Sequence, residues 1–421
     1  MVRVLRQRNF ALLWVAGLIS MIGDWVLFIA LPIYTYDLTR SSLSMGIMFM
    51  VGTLPRILLG SAAGVFVDRW DRQRVMVVAD LSRAVLLLLL LFARSPESIW
   101  IVYSVAFLQA TISQFFGPAE NALLPQLVEP SHLVAANSLN SLNNNLARLA
   151  GPALGGIVLG VFGFTDVVLV DSLSFLISGL MIAAIVQPSL RGEPESKVMH
   201  TEESALQAES RLWSEWIAGL GFIWKSPVVS VIFLVMAVAG IAEGLFNVMF
   251  VIFIQKELAG AALEFGWLTS AQAVGGILGG LMIGWIGSRL KANRLLGLAA
   301  VNGLLIILLA NLPSLPLALT LILLAGIPVV GFSVGVDTLL QRHVADRFRG
   351  RVFGSLGTSL AIFTLLGQGL ASLLGDPLGA TTLLTWKGLL DMMAGILGFT
   401  LLFQLSSMQS APDRDPSLLE E

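Results

Sequence analysis

The chain has 421 residues, 56% of them apolar and 12% charged, with a mean hydropathy of +0.85 and a net charge of −2. Soluble proteins carry about 25% charged residues, so a water-soluble domain is excluded and an integral membrane protein is predicted. Cysteine is absent and only His132, His200 and His343 occur, which excludes disulfides and thiolate metal sites and argues against a histidine metal centre.

Arg3, Arg6 and Arg8 precede the first apolar run, as in a signal peptide. The run is too long for one and no small-residue cleavage pattern follows, so an uncleaved first span is expected. Stretches of the roughly 20 apolar residues needed to cross a bilayer lie near 11–35, 43–67, 75–93, 99–117, 137–162 and 167–186. The segment 188–210 is rich in Glu, Ser and Pro without an apolar period, and reads as a flexible linker. Leu212, Trp213, Trp216, Ile217, Leu220 and Trp224 then recur at helical spacing beside Glu215 and Lys225, the pattern of a helix lying in the membrane interface. Six further spans follow near 228–254, 265–287, 295–312, 316–338, 352–374 and 383–405, ahead of a polar tail. The expected architecture is all-α: a six-helix bundle over 1–187, a linker with an interfacial helix over 188–227, a second bundle over 228–405 and a flexible tail over 406–421.

Residues 64–74 stand apart as a charged segment, Gly-Val-Phe-Val-Asp-Arg-Trp-Asp-Arg-Gln-Arg, between two apolar runs. Such a cluster cannot sit in hydrocarbon and must be a water-facing connection. It recurs 220 residues later, where Gly284, Arg289 and Arg294 echo Gly64, Arg69 and Arg74. A repeat of half the chain points to a duplicated bundle. With both termini placed in the cytoplasm, eighteen Lys and Arg fall in inner segments against four outside, Arg40, Arg94, Lys256 and Lys387. That bias fixes the expected orientation.

Twelve spans in two sixes, a long central loop and the pattern Gly64-x-x-x-Asp68-Arg69-x-x-Arg72-x-Arg74 resemble the major facilitator superfamily of transporters. Asn9-Phe10 with Leu13-Trp14, Gly23-Asp24-Trp25, Ala136-Asn137-Ser138-Leu139 and Arg349-Gly350-Arg351-Val352 are similar to the bacterial branch that contains macrolide-efflux and enterobactin-export proteins. The resemblance covers essentially the whole chain. It implies that Asp68 latches the halves at the amino end of the eleventh helix, near Arg351 to Ser355, where the helix dipole favours an anion. Arg69 and Arg72 would pair with nearby acids, Glu120 being expected for Arg72. Asp71 stands where the superfamily usually has Gly. The alternative for the loop is that its charges only enforce topology. Gly151, Pro152, Gly155 and Gly156 on the fifth span resemble the superfamily's exporter motif, with Ala147 at its usual upstream Gly; ordinary small-residue packing is the alternative.

Intramembrane charges cost about 2.5 to 3.5 kcal/mol each unless they face a partner or water, so they are the candidates for chemistry. Asp24 lies in the first span and Glu243 follows it by 219 residues, in step with the loop repeat. Gly17 and Ser20 share a side with Asp24, as Gly240 and Asn247 do with Glu243; Asn140, Asn144 and Arg148 form a polar stripe on the fifth span. The first, fifth and seventh helices line the cavity in the resembled superfamily. Glu243, with no evident cationic neighbour, is the first candidate for proton coupling and Asp24 the second; an Asp24–Arg148 ion pair is the structural alternative. Asp80 and Arg83 are expected to pair with each other, Arg56 to line the cavity or reach the interface, and Asp171, Asp337 and Asp391 to serve topology or packing near span ends. The fourth span lacks the Arg that many proton antiporters of the superfamily carry. Trp14, Trp25, Phe28, Phe246, Met249 and Phe250 offer a pliable apolar pocket, with core or lipid contact as the commoner role.

No Gly-x-x-x-x-Gly-Lys-Ser/Thr loop is present, so ATP bound to this chain does not power it and no cofactor is expected. The expected function is a non-enzymatic secondary carrier in the plasma membrane that exports hydrophobic or amphipathic small molecules on a proton gradient. Its partners are then a small-molecule substrate and the lipid bilayer, with no nucleic acid, and its state is monomeric. An uptake carrier or lipid flippase of the same superfamily is the alternative within transport, and a sensor or scaffold the alternative outside it.

Overall fold

A computed structural model describes residues 2–60, 62–186, 226–286 and 292–409. The linker 188–210, the interfacial helix through Trp224, Arg289 of the repeated loop and the tail beyond 409 lie outside the described residues.

Each long apolar run forms a helix, because a backbone in hydrocarbon must satisfy its own hydrogen bonds. The first six are α1 (Arg8–Thr39), α2 (Ser42–Leu59), α3 (Arg72–Leu87), α4 (Ile99–Leu127), α5 (Leu133–Phe162) and α6 (Phe164–Ala183). The second six are α7 (Pro227–Lys256), α8 (Ala262–Ile286), α9 (Leu298–Asn311), α10 (Leu315–His343), α11 (Asp346–Leu378) and α12 (Ala380–Gln409). Together they supply twelve segments long and apolar enough to cross a membrane. The second predicted span is divided: α2 stops at Leu59, and a short helix, Ala62–Arg69, carries the chain into the charged loop. The fourth runs on to Leu127, ten residues past its predicted end, because Pro118 and Pro125 are absorbed within the helix.

The connections are set by local chemistry. Between α1 and α2, Arg40 takes a left-handed conformation (φ 50°) and the Ser41 side chain accepts from the Ser44 amide. The turns between α5 and α6 and between α11 and α12 each pivot on one glycine with positive φ, Gly163 at 89° and Gly379 at 79°, a conformation that side chains disfavour. Asp71 caps α3, its carboxylate accepting from the Arg74 amide at 2.8 Å. The departure from Gly at this position therefore installs a helix cap.

Both halves have the same helix adjacency: α1 packs on α5 and α6, α3 on α4 and α6, α2 on α4, and the second half repeats this with α7 on α11 and α12, α9 on α10 and α12, and α8 on α10. The halves meet through α2 with α11 and α5 with α8. These contacts gather at the end remote from the arginine-rich loop. There Gly156 abuts Ala262 and Gly266, Gly46 abuts Ser372, the Ser42 amide donates to Asp376, and one apolar core draws on both halves, from Ile29, Tyr36 and Met45 to Phe250, Phe265 and Ala371. Toward the arginine-rich end each half has its own core. Gly64 and Gly117 of one half and Gly350, Gly354 and Gly357 of the other meet no atom within 4 Å of where a side chain would begin. The molecule is closed at one end and open at the other.

Candidate functional site

Two cavities are lined by residues of both halves. The larger, about 430 Å³, is bounded by Asp24 and Phe28 of α1, Thr53 of α2, Arg83 of α3 and Gln109 of α4, and is completed by Asn247 and Gln368 of the other half. The smaller, about 230 Å³, holds Glu243 and Phe246 of α7, Asn302 of α9, and Lys387 and Asp391 of α12, and is completed by Arg148 of the first half. Each cavity thus belongs to one bundle and borrows polar groups from the other.

In the first bundle the organising group is Arg83, only 5% exposed. Its Nη2 donates to Asp24 at 2.7 Å, its Nε to Gln109 at 3.1 Å, its Nη1 lies 3.9 Å from Asp80, and its guanidinium sits 4.0 Å from the Phe175 ring centroid. Ser178 donates to Asp80, while Asp171, buried one helix away, accepts from Ser174 and crowds Gly23 of α1. Only Gly fits there, since a Cβ would stand 2.3 Å from the Asp171 carboxylate. Asp24 keeps 43% of its side chain open to the cavity.

In the second bundle Lys387 donates to Asp391 at 2.5 Å, Asn302 donates to the same oxygen at 2.7 Å, and the ammonium lies 5.2 Å from the Phe246 ring centroid. Glu243 is exposed to the cavity that Lys387, Asp391 and Arg148 also line. The two centres are repeats of each other. Asp24 and Glu243 are 219 residues apart, as are Arg83 and Asn302, and Asp171 and Asp391 are 220 apart. The cation has moved from the third helix of one half to the sixth helix of the other.

Several expectations are corrected. The partner of Asp24 is Arg83, not Arg148, which reaches the carboxy-terminal cavity beside Glu243. Glu243 therefore does have cationic neighbours, on helices that its own sequence context does not reveal. Asp80 and Arg83 face each other as expected, but the guanidinium's closest carboxylate is Asp24. Lys387 lies buried within α12, not in an outer loop, and Asp171 and Asp391 belong to the charge centres instead of span ends. Glu120 is not paired with Arg72: it is buried near Gly17 and Asn143, within reach of the Asn140 amide, while Arg72 donates to the Asp68 carbonyl at 3.1 Å.

The remaining predicted residues divide between cavity and scaffold. Asn247 and Phe246 line cavities, whereas Asn144 donates to its own helix at Asn140 and Arg56 lies exposed in the last turn of α2, outside both linings. Trp25 packs beneath Gly151 and edge-on to Phe28, 5.1 Å between centroids. Trp14 is a pin, donating to the Leu139 carbonyl while Asn143 donates back to its own carbonyl. Met249 and Phe250 are core. Gly17 and Gly240 turn toward α5 and α11, so the cavity stripes are narrower than the sequence pattern suggested. The helix-5 motif packs on both sides, Gly151 and Gly155 on α1 and Gly156 on α8. Asp68 is exposed and, among the described residues, makes no ion pair, so the contact with α11 expected for a latch is not made here. Arg83, Lys387, Asn302 and Gln368 were missed as site residues. The repeat offset, applied to every polar intramembrane residue instead of to Asp24 alone, identifies Asn302 and Asp391 from Arg83 and Asp171.

A twelve-helix membrane protein built from two like bundles, closed at one end around paired polar cavities, is a transporter of the major facilitator type. The chain matches the transmembrane secretion effector family of these transporters over residues 2–417, and belongs to it. It is 29% identical over 379 residues to the multidrug efflux pump Tap of Mycolicibacterium fortuitum, covering 86% of this chain and 88% of that one. It is 24% identical over 398 residues to macrolide efflux protein A of Streptococcus pyogenes, covering 92% and 95% respectively. Among solved structures, a bacterial homologue of the iron transporter ferroportin in its inward-facing state superposes with a TM-score of 0.74 at 17% identity, over 95% of this chain and 99% of that one.

Proposed function

We propose that this transporter exports amphipathic small molecules across the plasma membrane by alternating access, driven by inward proton flow. The observation that carries this reading is the repeat-related carboxylate pair, Asp24 and Glu243, each opening into a cavity between halves that are sealed at one end only. A carboxylate whose surroundings change as the cavity alternates between wet and dry binds a proton with different affinity in the two states, which is the requirement for coupling. The mixture of apolar lining, such as Phe28, Leu31, Met48 and Phe49, with few polar groups suits a drug-sized amphipath. The relatives named for macrolide and multidrug efflux support export as the direction.

The cationic bias supports a cytoplasmic arginine-rich end and cytoplasmic termini, and on that reading this conformation faces inward, ready to load. The Asp68 latch engages in the opposite state. The carrier works as a monomer in the bilayer, without cofactor, nucleic-acid partner or catalytic chemistry of its own.

The test is accumulation of a substrate panel, macrolides and lipophilic dyes among them, in inverted vesicles with an imposed pH gradient. Gradient-dependent accumulation that collapses with a protonophore supports the reading. Accumulation that ignores the gradient, or runs only outward from the vesicle, overturns it.

A further inference from the structure

We propose that Gln368 is a specificity-determining residue: its side-chain oxygen, held at the wall of the larger cavity, accepts an O–H or N–H of the transported molecule, so that amphipaths carrying such a donor are selected over fully alkylated ones. This rests on the export reading above and names the chemistry of its substrate. Gln368 lies on α11, is only 2% exposed, and lines the larger cavity from the second half. Its backbone is fixed. Ser372 donates to the Gln368 carbonyl at 2.7 Å, and α7 is pressed so close that a Cβ at Gly244 would stand 2.6 Å from the Gln368 amide nitrogen. Across the seam between the halves, the Thr53 hydroxyl lies 3.4 Å from both Oε1 and Nε2 of the Gln368 side chain. A hydroxyl has one proton to give. That of Thr53 goes to the Phe49 carbonyl of its own helix, at 2.9 Å, much the shorter contact. The Gln368 side chain is therefore the donor in the link to Thr53, and its oxygen receives no proton from any described residue. A buried amide oxygen without a donor is costly, so it favours a ligand that brings one.

The surroundings suit one class of molecule. Phe28, Leu31, Met48 and Phe49 give the cavity an apolar wall from the first half, and Asn247 lines it from the second without a hydrogen bond to any described residue. At about 430 Å³ the space takes a drug-sized body. An amphipath can rest its apolar body on α1 and α2 and turn its polar edge to Asn247 and Gln368. The Asn247 amide both donates and accepts, so it discriminates little. Gln368 discriminates because a molecule without a donor expels water from its oxygen and leaves that oxygen unpaired. The support for this group comes from the opposite half: Thr53 is on α2, so the amide is held in place only while α2 and α11 stay together at the sealed end. Parting them releases the amide. Affinity for a donor-bearing substrate then falls as that end opens, which favours release there.

The experiment measures binding of two dyes to the purified full-length protein in detergent by fluorescence anisotropy. One is rhodamine 6G, whose ethylamino groups carry N–H donors; the other is rhodamine B ethyl ester, a xanthene cation of the same charge and the same ester with those nitrogens fully alkylated. The parent should bind rhodamine 6G about tenfold more tightly, the worth of one hydrogen bond to a buried acceptor. Gln368→Leu, which removes the acceptor, should bring the two affinities to within about twofold of each other. Gln368→Glu keeps an acceptor oxygen at that place and should keep the preference. Thr53→Val leaves Gln368 intact but takes away its support; it should lower the preference through weaker binding of rhodamine 6G alone, and it tests the same point if Gln368→Leu does not fold. Equal affinities of the two dyes for the parent overturn the proposal without any variant. So does a Gln368→Leu protein that binds both dyes more weakly by the same factor, the behaviour of a residue that only seals the seam. If neither dye binds the parent, the export reading itself fails and the proposal falls with it, an outcome distinct from equal binding of both.

Discussion

The two bundles share a backbone plan and hold polar groups at the same three repeat positions, two of them charged in both halves, yet they use them differently. In the first, a buried guanidinium is saturated by its own bundle: Asp24, Asp80, Gln109 and the Phe175 ring surround Arg83. In the second, the corresponding position is the neutral Asn302, and the cation is Lys387 one turn from Asp391. Arg holds several partners at once through its planar fork, whereas an ammonium is a compact charge that one carboxylate can occupy. The comparison teaches that duplication preserved where charge sits but divided the labour. One centre ties helices together; the other leaves the Glu243 carboxylate open to its cavity.

The largest effect expected from this contrast is on Arg83→Met. It would strand Asp24, Asp80 and Asp171 around an empty site, and losing one partner of a buried ionic network costs about 3 to 5 kcal/mol. Thermal unfolding in detergent should show a strongly destabilised or unfolded protein. A variant as stable as the parent would mean that the first centre is not structural. Lys387→Met, tested in the same way, should cost less, because Asn302 still donates to Asp391.

Next comes coupling. Glu243→Gln should fold, bind substrate and exchange it downhill, while gradient-driven accumulation falls at least about tenfold, equivalent to about 1.4 kcal/mol of lost driving force. Asp24→Asn should be milder, since the amide oxygen can still accept from Arg83. If Asp24→Asn abolishes uphill transport without unfolding and Glu243→Gln does not, the roles of the two bundles are reversed.

A third, smaller effect separates the closed end from the open one. Gly266→Val places a Cβ 2.5 Å from the Pro152 carbonyl, within the α5–α8 seam, and overpacking of that kind costs about 1 to 3 kcal/mol. It should shift the population toward the outward-open state, seen as longer spin-label distances across that end. Gly354→Ala, at a position with open space, should change stability by less than about 0.5 kcal/mol. Equal effects at the two sites would contradict an inward-facing resting state.

The smallest expected effect concerns the charged loop. Asp68→Asn should weaken the outward-facing state by about 0.3 to 2 kcal/mol, as expected for an anion at a helix start. Distances between the loop-side ends of α2 and α11 should lengthen on average. Asp71→Ala removes the α3 cap seen here and should cost about 1 kcal/mol in either state. If the two substitutions shift the distance distribution alike, Asp68 has no role as a latch.

The sequence by itself determined the helices, their number and the duplication, because hydrocarbon leaves the backbone one economical solution and long apolar runs announce it. It also singled out Asp24 and Glu243, since an ionisable residue inside an apolar run is conspicuous and the repeat offset links the two. Partners were another matter. Arg83 and Asp24 are 59 residues apart, Asn302 and Asp391 are 89 apart, and Arg148 joins Glu243 in lining one cavity from the opposite bundle. Helical periodicity reports which face of one helix a residue occupies, not which helix lies opposite. That is decided by the packing of small residues, such as Gly156 against Gly266 and Gly23 against Asp171, which brings distant helices close enough for charges to meet. The pairing of Arg72 with Glu120 failed for the same reason: proximity along the chain at the same membrane end does not bring side chains together when one of them turns inward. Only the tertiary structure could assign each buried charge its counter-charge, because in a low-dielectric interior that choice depends on distances of a few ångströms between helices far apart in sequence.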